Sequence, residues 1–283
     1  MMKRLYTLEF YKNLTYKPFQ IFSVLYFVFI VAFLFIGLVD IKISEGFQIN
    51  LKEQGIYNFP VIWNFTTWFG GILKVFLGLI IVFSISQEFT NRMFKQNTID
   101  GLSRKEFIFS KLLTISTFTI ISTLIVFVIT LAIGYSYSDT TETAKVTEEL
   151  FFILHYFLKL FTYFCFLMFL CVLLKKSIFV FLALFIWYVF ESIFGAIENY
   201  FQFKGADANQ AAQIMEHNFF IYEVLPLQSM SMLIPNPIMR LNAAKIFGVP
   251  YKFTYPTESV IACIIWAIIF IYGSHLILKK RDW

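Results

Sequence analysis

Charged residues are scarce in this chain of 283 residues. They make up 14% of the sequence, whereas hydrophobic residues make up 59% and Phe alone occurs 38 times. Soluble domains carry charge on about a quarter of their residues, because water must solvate their surface. The composition therefore excludes a soluble globular domain and requires that a lipid bilayer surrounds most of the chain.

Motifs for catalysis and metal binding are also missing. The three cysteines lie in apolar runs without a C-x-x-C pair, and the three histidines are scattered along the chain. The sequence contains no H-E-x-x-H, no G-x-S-x-G and no phosphate-binding G-x-x-x-x-G-K-[ST]. It also lacks a basic-aromatic pattern for nucleic acid. We therefore predict no catalytic residue, no metal site, no nucleic-acid partner and no cofactor bound by this chain, which cannot hydrolyse ATP by itself.

Six apolar runs are long enough to cross a membrane. A transmembrane helix needs roughly 20 apolar residues, and open strands cannot lie in lipid because their backbone groups would stay unpaired. The sequence thus predicts an all-α integral membrane protein, a single permease domain over residues 1–283 with six transmembrane helices. The predicted spans are Ile21–Val39, Val61–Ser86, Leu112–Gly134, Phe151–Leu174, Ile178–Ile197 and Val260–Leu278. The fourth and fifth are expected to form a tight helical hairpin.

The distribution of Lys and Arg predicts the orientation of these spans. Most of the 23 Lys and Arg residues fall in the two terminal segments, the loop after the second span and the short turn after the fourth. Cytoplasmic loops carry an excess of Lys and Arg, and an even number of spans puts both termini on one side. We expect a multi-pass protein of the bacterial cytoplasmic (inner) membrane with both termini in the cytoplasm, in contact with membrane lipids.

Residues 1–20 form a polar arm before the first span. Leu5, Leu8, Tyr11 and Leu14 recur every three residues, and Pro18 ends the pattern. This spacing predicts a cytoplasmic interfacial helix along the inner leaflet. The alternative is a frayed basic tail.

The loop at residues 87–111 carries signals of ordered structure. Its first part, Glu88–Lys95, has high helix propensity and is expected to continue the second span. Asp100-Gly101 indicates a turn. Ser103 followed by Glu106 is a capping box, so a new helix is expected from Arg104 into the third span. The simpler alternative is an ordinary positively charged hairpin between two spans.

The order of these features resembles the membrane subunit of type-2 ATP-binding cassette (ABC) exporters. That family has a cytoplasmic arm, six spans, and a loop after the second span with an acid, a Thr, a Leu-Ser-Arg-like step and a Lys. In this chain Asn97 stands where the family has a Gly before the Thr. The matching residues are Glu88, Thr98, Leu102, Ser103, Arg104 and Lys111.

The resemblance implies a permease that exports its substrate with the energy of separate ATPase subunits. Residues 87–111 would form a cytoplasmic coupling helix that inserts into a cleft of the ATPase. Two ATPase subunits, which would bind the ATP and Mg, would pair with two permeases, either two copies of this chain or this chain and a related one. The residues expected to contact the ATPase are Glu88, Arg92, Met93, Phe94 and Arg104.

Three ionisable residues fall inside the predicted spans: Lys74, Lys159 and Glu191. Such residues are costly in a bilayer and are functional candidates by default. They could form a polar lining of the translocation path, or a structural Lys–Glu salt bridge between helices. Lys159 could also extend its ammonium toward the outer surface.

The outer-face segment at residues 201–257 is the least informative part of the sequence. Asp207–Tyr222 has a helical pattern, and Met230–Ile234 is apolar but too short to span, which favours a re-entrant or interfacial piece. A rival to the ABC interpretation is an ATP-independent secondary transporter that uses the buried charges for ion coupling.

Overall fold

The computed structural model describes residues 2–36, 41–44, 47–49, 54–99, 101–205, 207, 210, 220–240 and 255–280. Short 3₁₀ turns occur at Ile221–Val224 and Pro237–Arg240. The α-helices, numbered along the chain, are α1 (Met2–Thr15), α2 (Lys17–Ile36), α3 (Val61–Thr90), α4 (Met93–Ile99), α5 (Arg104–Tyr137), α6 (Thr143–Thr147), α7 (Phe151–Leu174), α8 (Ser177–Phe203), α9 (Pro226–Met232) and α10 (Thr257–Lys280). The predicted all-α membrane fold is confirmed.

One small element was not predicted from the sequence. Between α2 and α3, strand β1 (Ile41–Ser44) pairs antiparallel with β2 (Phe47–Ile49), and Ile41 lies opposite Ile49. This hairpin is too short to alter the fold class, and it lies outside the helices that are long enough to cross a membrane.

Five helices are long and apolar enough to span a bilayer, namely α3, α5, α7 (with α6), α8 and α10. A sixth candidate arises if α1 and α2 count as one span bent by 79°. Pro18 explains the bend, because its missing N–H cannot bond the carbonyl one turn earlier. Gln20 Nε2 donates to that Leu14 carbonyl instead, at 2.6 Å. The arm is therefore helical, and the alternative of a frayed tail is wrong for the described residues.

Helix α7 lies at the centre of the bundle and packs against α3, α5, α8, α9 and α10. Small residues bring α3 close to it. A Cβ atom at Gly70 would lie 3.1 Å from the Tyr156 ring, and one at Gly78 would lie 2.8 Å from Leu167. Glycine at these positions lets the two backbones approach closely, as in other membrane helix pairs.

The two ends of the bundle are formed by different elements. The end formed by α1, α4, the start of α5 and the last turn of α10 is called the loop end here. At the opposite end, called the cap end, residues 221–240 pack against α7, α8 and α10. An ion pair between Arg240 and Glu149, with Nη2 to Oε1 at 2.5 Å, fixes the second 3₁₀ turn there.

The predicted helical hairpin between the fourth and fifth spans is confirmed. Helix α7 ends at Leu174, and Lys175 reverses the chain with a φ of 65°. Helix α8 then begins at Ser177 and exposes most of its large apolar side chains, such as Phe185 and Phe201. The apolar pattern of an integral membrane protein thus places α8 at the periphery, against lipid or another protein.

Candidate functional site

The loop after the second span is a separate short helix. The sequence predicts that the helix of the second span continues through Lys95, and this is wrong: α3 ends at Thr90. Arg92 has a φ of 56°, which a helix cannot accommodate, and α4 begins at Met93. The break turns α4 back so that its apolar side reaches the bundle.

Phe94 holds α4 in place. Its side chain is 2% exposed, and its ring lies 5.5 Å from the Phe89 ring and 4.5 Å, edge-on, from the Phe107 ring. Edge-on aromatic pairs at this spacing contribute about 0.5–1.5 kcal/mol beyond their buried area. Phe94 was predicted to contact an ATPase, but it is inside the protein and links α4 to α3 and α5.

The predicted start of α5 is confirmed. The Ser103 amide donates to Glu106 Oε2 at 2.7 Å, and the Glu106 amide donates to Ser103 Oγ at 3.2 Å, which is the reciprocal capping box. Gly101 has a φ of +96° in the turn before it. Arg104 Nη1 donates to the Lys279 carbonyl at 2.6 Å, so the loop also contacts the last turn of α10.

A cluster of four charges connects the arm to the loop. Lys111 Nζ lies 2.5 Å from Glu9 Oε1 and 2.5 Å from Glu88 Oε1, and Lys12 contacts Glu88 and lies 3.7 Å from Glu9 Oε2. The Lys111 and Glu88 side chains are 2% and 3% exposed. Two cations and two carboxylates balance in charge, which offsets the cost of burial. We call Glu9, Lys12, Glu88 and Lys111 the arm–loop cluster.

Sequence reasoning missed this cluster. Glu88 was predicted to contact the ATPase, but in this structure it is buried and pairs with Lys111 and Lys12. Asn13 adds a contact, because Ser84 Oγ donates to its Oδ1 at 2.8 Å. No local pattern could have revealed the pairing, since Glu9 and Lys111 are 102 residues apart.

The solvent-facing side of α4 presents a different set of residues. Arg92, Gln96 and Ile99 are exposed at helical spacing, and Ile99 is 76% exposed. An isoleucine so exposed outside the apolar spans was missed by the sequence analysis. Of the remaining predicted loop residues, Ser103 is exposed, and the partly buried ones are Met93, Thr98, Leu102 and Arg104.

Within the spans, Glu191 does not pair with a lysine. Its carboxylate accepts the Trp187 indole N–H at 2.6 Å, the Leu227 amide at 3.0 Å and the Gln228 amide at 2.8 Å. The hydrogen bonds to the first turn of α9 satisfy its free amides. The predicted Lys–Glu salt bridge is therefore wrong for the described part of the chain: the carboxylate holds α9 instead.

Glu198 repeats this arrangement two turns later along α8. Its carboxylate accepts the Ile221 amide at 2.7 Å and the Tyr222 amide at 2.8 Å, at the start of the first 3₁₀ turn. Glu223 lies next to it. Burial, together with repulsion by Glu258 and Glu198, raises the pKa of Glu223 above its usual value. The predicted helix at Asp207–Tyr222 lies mostly outside the described residues, and Met230–Ile234 covers the end of α9 and the turn after it.

The two intramembrane lysines lie together between α3 and α7. Lys159 is buried, and a Cβ atom at Gly71 would lie 3.2 Å from its Nζ. The Nζ of Lys74 lies 4.5 Å from the centre of the Tyr163 ring. This is within the range of a cation–π contact. Lys159 thus points at the α3 backbone and not toward an end of the bundle, so the predicted alternative of an ammonium at the outer surface does not describe it.

Comparison with known families identifies the chain. Residues 4–283 match the family model described as the ABC-2 family transporter protein. The chain belongs to the ABC-2 transporter family. None of the curated proteins matches the sequence.

Family membership confirms the resemblance on which the loop prediction was based. The ABC-2 protein is a multi-pass membrane permease of an ABC-type transporter, and permeases of this family normally work with ATPase subunits. The membrane permease is the transport component and is not itself catalytic. The rival assignment to an ATP-independent secondary transporter is therefore set aside.

Proposed function

We propose that this ABC-2 permease exports its substrate from the cytoplasm and is driven by separate ABC ATPase subunits. The transporter would contain two of these subunits, and one of them would bind α4 of this chain. Two permeases, either two copies or this chain with a related one, would complete the transporter. The loop end, with both termini, faces the cytoplasm of a bacterium, and ATP and Mg are bound by the ATPases. The charge distribution of the sequence supports this orientation.

The observation that carries the proposal is the way α4 is attached to the bundle. Phe94 packs α4 between α3 and α5, and on either side of α4 the arm–loop cluster joins α1 to α3 and α5, while Arg104 of α5 bonds α10. Since Phe94 fixes α4 to two helices that are themselves tied together, α4 moves with α3 and α5. Force applied to α4 by a closing ATPase would therefore tilt the spans and would not merely bend a loose loop.

We propose different roles for exposed and buried residues of the loop, including Ile99, which the sequence analysis did not single out. Arg92, Ile99 and the partly buried Met93 are the residues we propose to contact the ATPase. Glu88, Phe94 and Lys111 are buried, so we propose that they hold α4 in position. Exposed apolar residues among charges are typical anchors of protein interfaces. The proposed contact surface is small, and its core is Ile99.

Crosslinking tests the contact. The described cysteines are buried, so a cysteine placed at Ile99 offers a selective thiol. We expect Ile99→Cys, carrying a photoreactive label, to crosslink to a co-expressed ABC ATPase, and Ile99→Asp to reduce ATPase co-purification at least tenfold. Ile221→Asp, at an equally apolar exposed position of the cap end, serves as the matched control. If Ile99→Asp keeps full ATPase co-purification and full ATPase stimulation, α4 is not the contact with the ATPase.

Thiol labelling tests the orientation independently. We expect a membrane-impermeant maleimide to label Lys145→Cys at the cap end in intact cells, and to label Ile99→Cys only after permeabilisation. The reverse pattern would show that the loop end faces outward and would exclude a cytoplasmic ATPase partner.

A further inference from the structure

Lys74 and Lys159 are two cations that share one apolar site. Lys159 is 6% exposed, and Lys74 is partly buried at the Tyr163 ring. Lys159 lies against Gly71, one turn before Lys74 on α3, and Lys74 lies at Tyr163, one turn after Lys159 on α7, so the two ammonium groups are neighbours. Both helices lie in the middle of the bundle.

No acid of the described ranges neutralises this pair. The ion pairs found there involve Glu9, Glu88 and Glu149, with Lys12, Lys111 and Arg240 as their partners. Glu191, the acid predicted inside a span, accepts hydrogen bonds from the amides of α9 and from Trp187 instead. The lysines thus differ from the arm–loop cluster, in which each cation has a carboxylate.

Like charges in a low-dielectric interior repel strongly, and each also loses its hydration. A long side chain can avoid this cost by reaching the membrane surface. Lys159 does not, because its ammonium packs against the Gly71 backbone. The glycine leaves the space that the ammonium fills. Two cations kept together without an acid are the arrangement expected where an anion enters from outside the chain.

We propose that Lys74 and Lys159 bind the anionic group, a carboxylate or a phosphate, of an amphiphile that this permease carries. The assignment of the amphiphile as cargo rests on the proposed export function, whereas the anion site itself does not. Lys159 supplies the more deeply buried charge, and Lys74 supplies the second charge from α3, beside the Tyr163 ring. Ile72 and Val75, which flank Lys74 on α3, are exposed and provide apolar surface for hydrocarbon chains.

Thermal unfolding of the purified chain in detergent tests the anion site without an ATPase. Phosphatidylglycerol is the anionic probe, and phosphatidylcholine with the same acyl chains, in which a choline cation balances the phosphate, is the comparison without net charge. A ligand that binds only the folded state raises the melting temperature. We expect phosphatidylglycerol to stabilise the native chain more than phosphatidylcholine does.

Substitution of the lysines should remove this difference. We expect Lys159→Met and Lys74→Met to raise the phosphatidylglycerol concentration for half-maximal stabilisation at least tenfold, and Lys159→Arg to retain the preference. Both Met variants should fold, because they remove an unneutralised charge from an apolar site. Lys145→Met removes an exposed cation and is the matched control. Equal stabilisation by the two lipids, or an unchanged preference in both Met variants, would overturn the proposal.

Reconstitution with the ATPase distinguishes cargo from a resident lipid. If the amphiphile is cargo, phosphatidylglycerol should stimulate ATP hydrolysis in proteoliposomes, and Lys159→Met should abolish this stimulation. Stabilisation of the chain without stimulation of a functional ATPase would keep the anion site and overturn its role in transport. A chain that binds no ATPase but keeps the lipid preference would refute the proposed function alone.

Discussion

Replacement of Lys111 by Met would leave two carboxylates in the arm–loop cluster with Lys12 as their remaining cation. Lys111 is 98% buried and contacts both Glu9 and Glu88 at 2.5 Å, so the charge left behind has little access to water. Removal of one partner from a buried ion pair costs about 3–5 kcal/mol. We expect Lys111→Met to lower the free energy of unfolding by about this amount.

A double-mutant cycle separates the pairing from other effects of the substitution. Lys111→Met combined with Glu88→Gln leaves Glu9 and Lys12, one charge of each sign. The double variant should therefore be more stable than the sum of the two single changes predicts, by about 1–3 kcal/mol. Equilibrium unfolding in mixed micelles, followed by tryptophan fluorescence, measures each value.

Lys105→Met provides the control, because this exposed lysine lies on the same helix outside the cluster. Surface changes of this kind usually alter stability by less than about 0.5 kcal/mol. Strictly additive effects of the Lys111 and Glu88 substitutions would refute the reasoning, since they would mean that the two side chains do not interact.

Three further substitutions test other parts of the structure. Glu191→Ala should lower the unfolding free energy by about 1–3 kcal/mol, since it leaves the amides of α9 without an acceptor, and loss of less than about 0.5 kcal/mol would contradict this role. Gly134→Ala should destabilise by about 1–3 kcal/mol, because its Cβ would lie 2.3 Å from the Phe59 ring; a neutral change in melting temperature would show that the ring can move aside. Glu223→Gln should stabilise the protein increasingly as the pH rises above the usual pKa of 4.5, where the native carboxyl, with its raised pKa, must ionise at a cost, and a pH-independent difference would refute this explanation.

Features set by local sequence were predicted well. The capping box at Ser103 needs only residues three apart, and the turn after Leu174 follows from two lysines between apolar runs. The spans themselves follow from the bilayer, because any run of about 20 apolar residues must form a helix there. These predictions did not depend on which helices pack against each other.

Features set by distant contacts could not be predicted in the same way. High helix propensity favours an unbroken α3, yet the break at Arg92 occurs because burial of Phe94 against Phe107 stabilises α4 in a turned-back position. Glu191 was considered as a salt-bridge partner of the lysines because all three lie inside the predicted spans. Its true partners lie 36 and 37 residues further along the chain, in a segment whose fold the sequence left open. Tertiary contacts decided both outcomes.

Helix α8 holds both ends of the stretch of chain between Phe203 and Ile221. The stretch leaves α8 at Phe203, and Glu198 on the same helix fixes its return at Ile221 and Tyr222. Since closing a longer loop costs only about 0.6 kcal/mol for each doubling of its length, residues between these points can be added or removed cheaply. The length of this stretch can therefore change while Glu191 and Glu198 keep the cap end in place against α8.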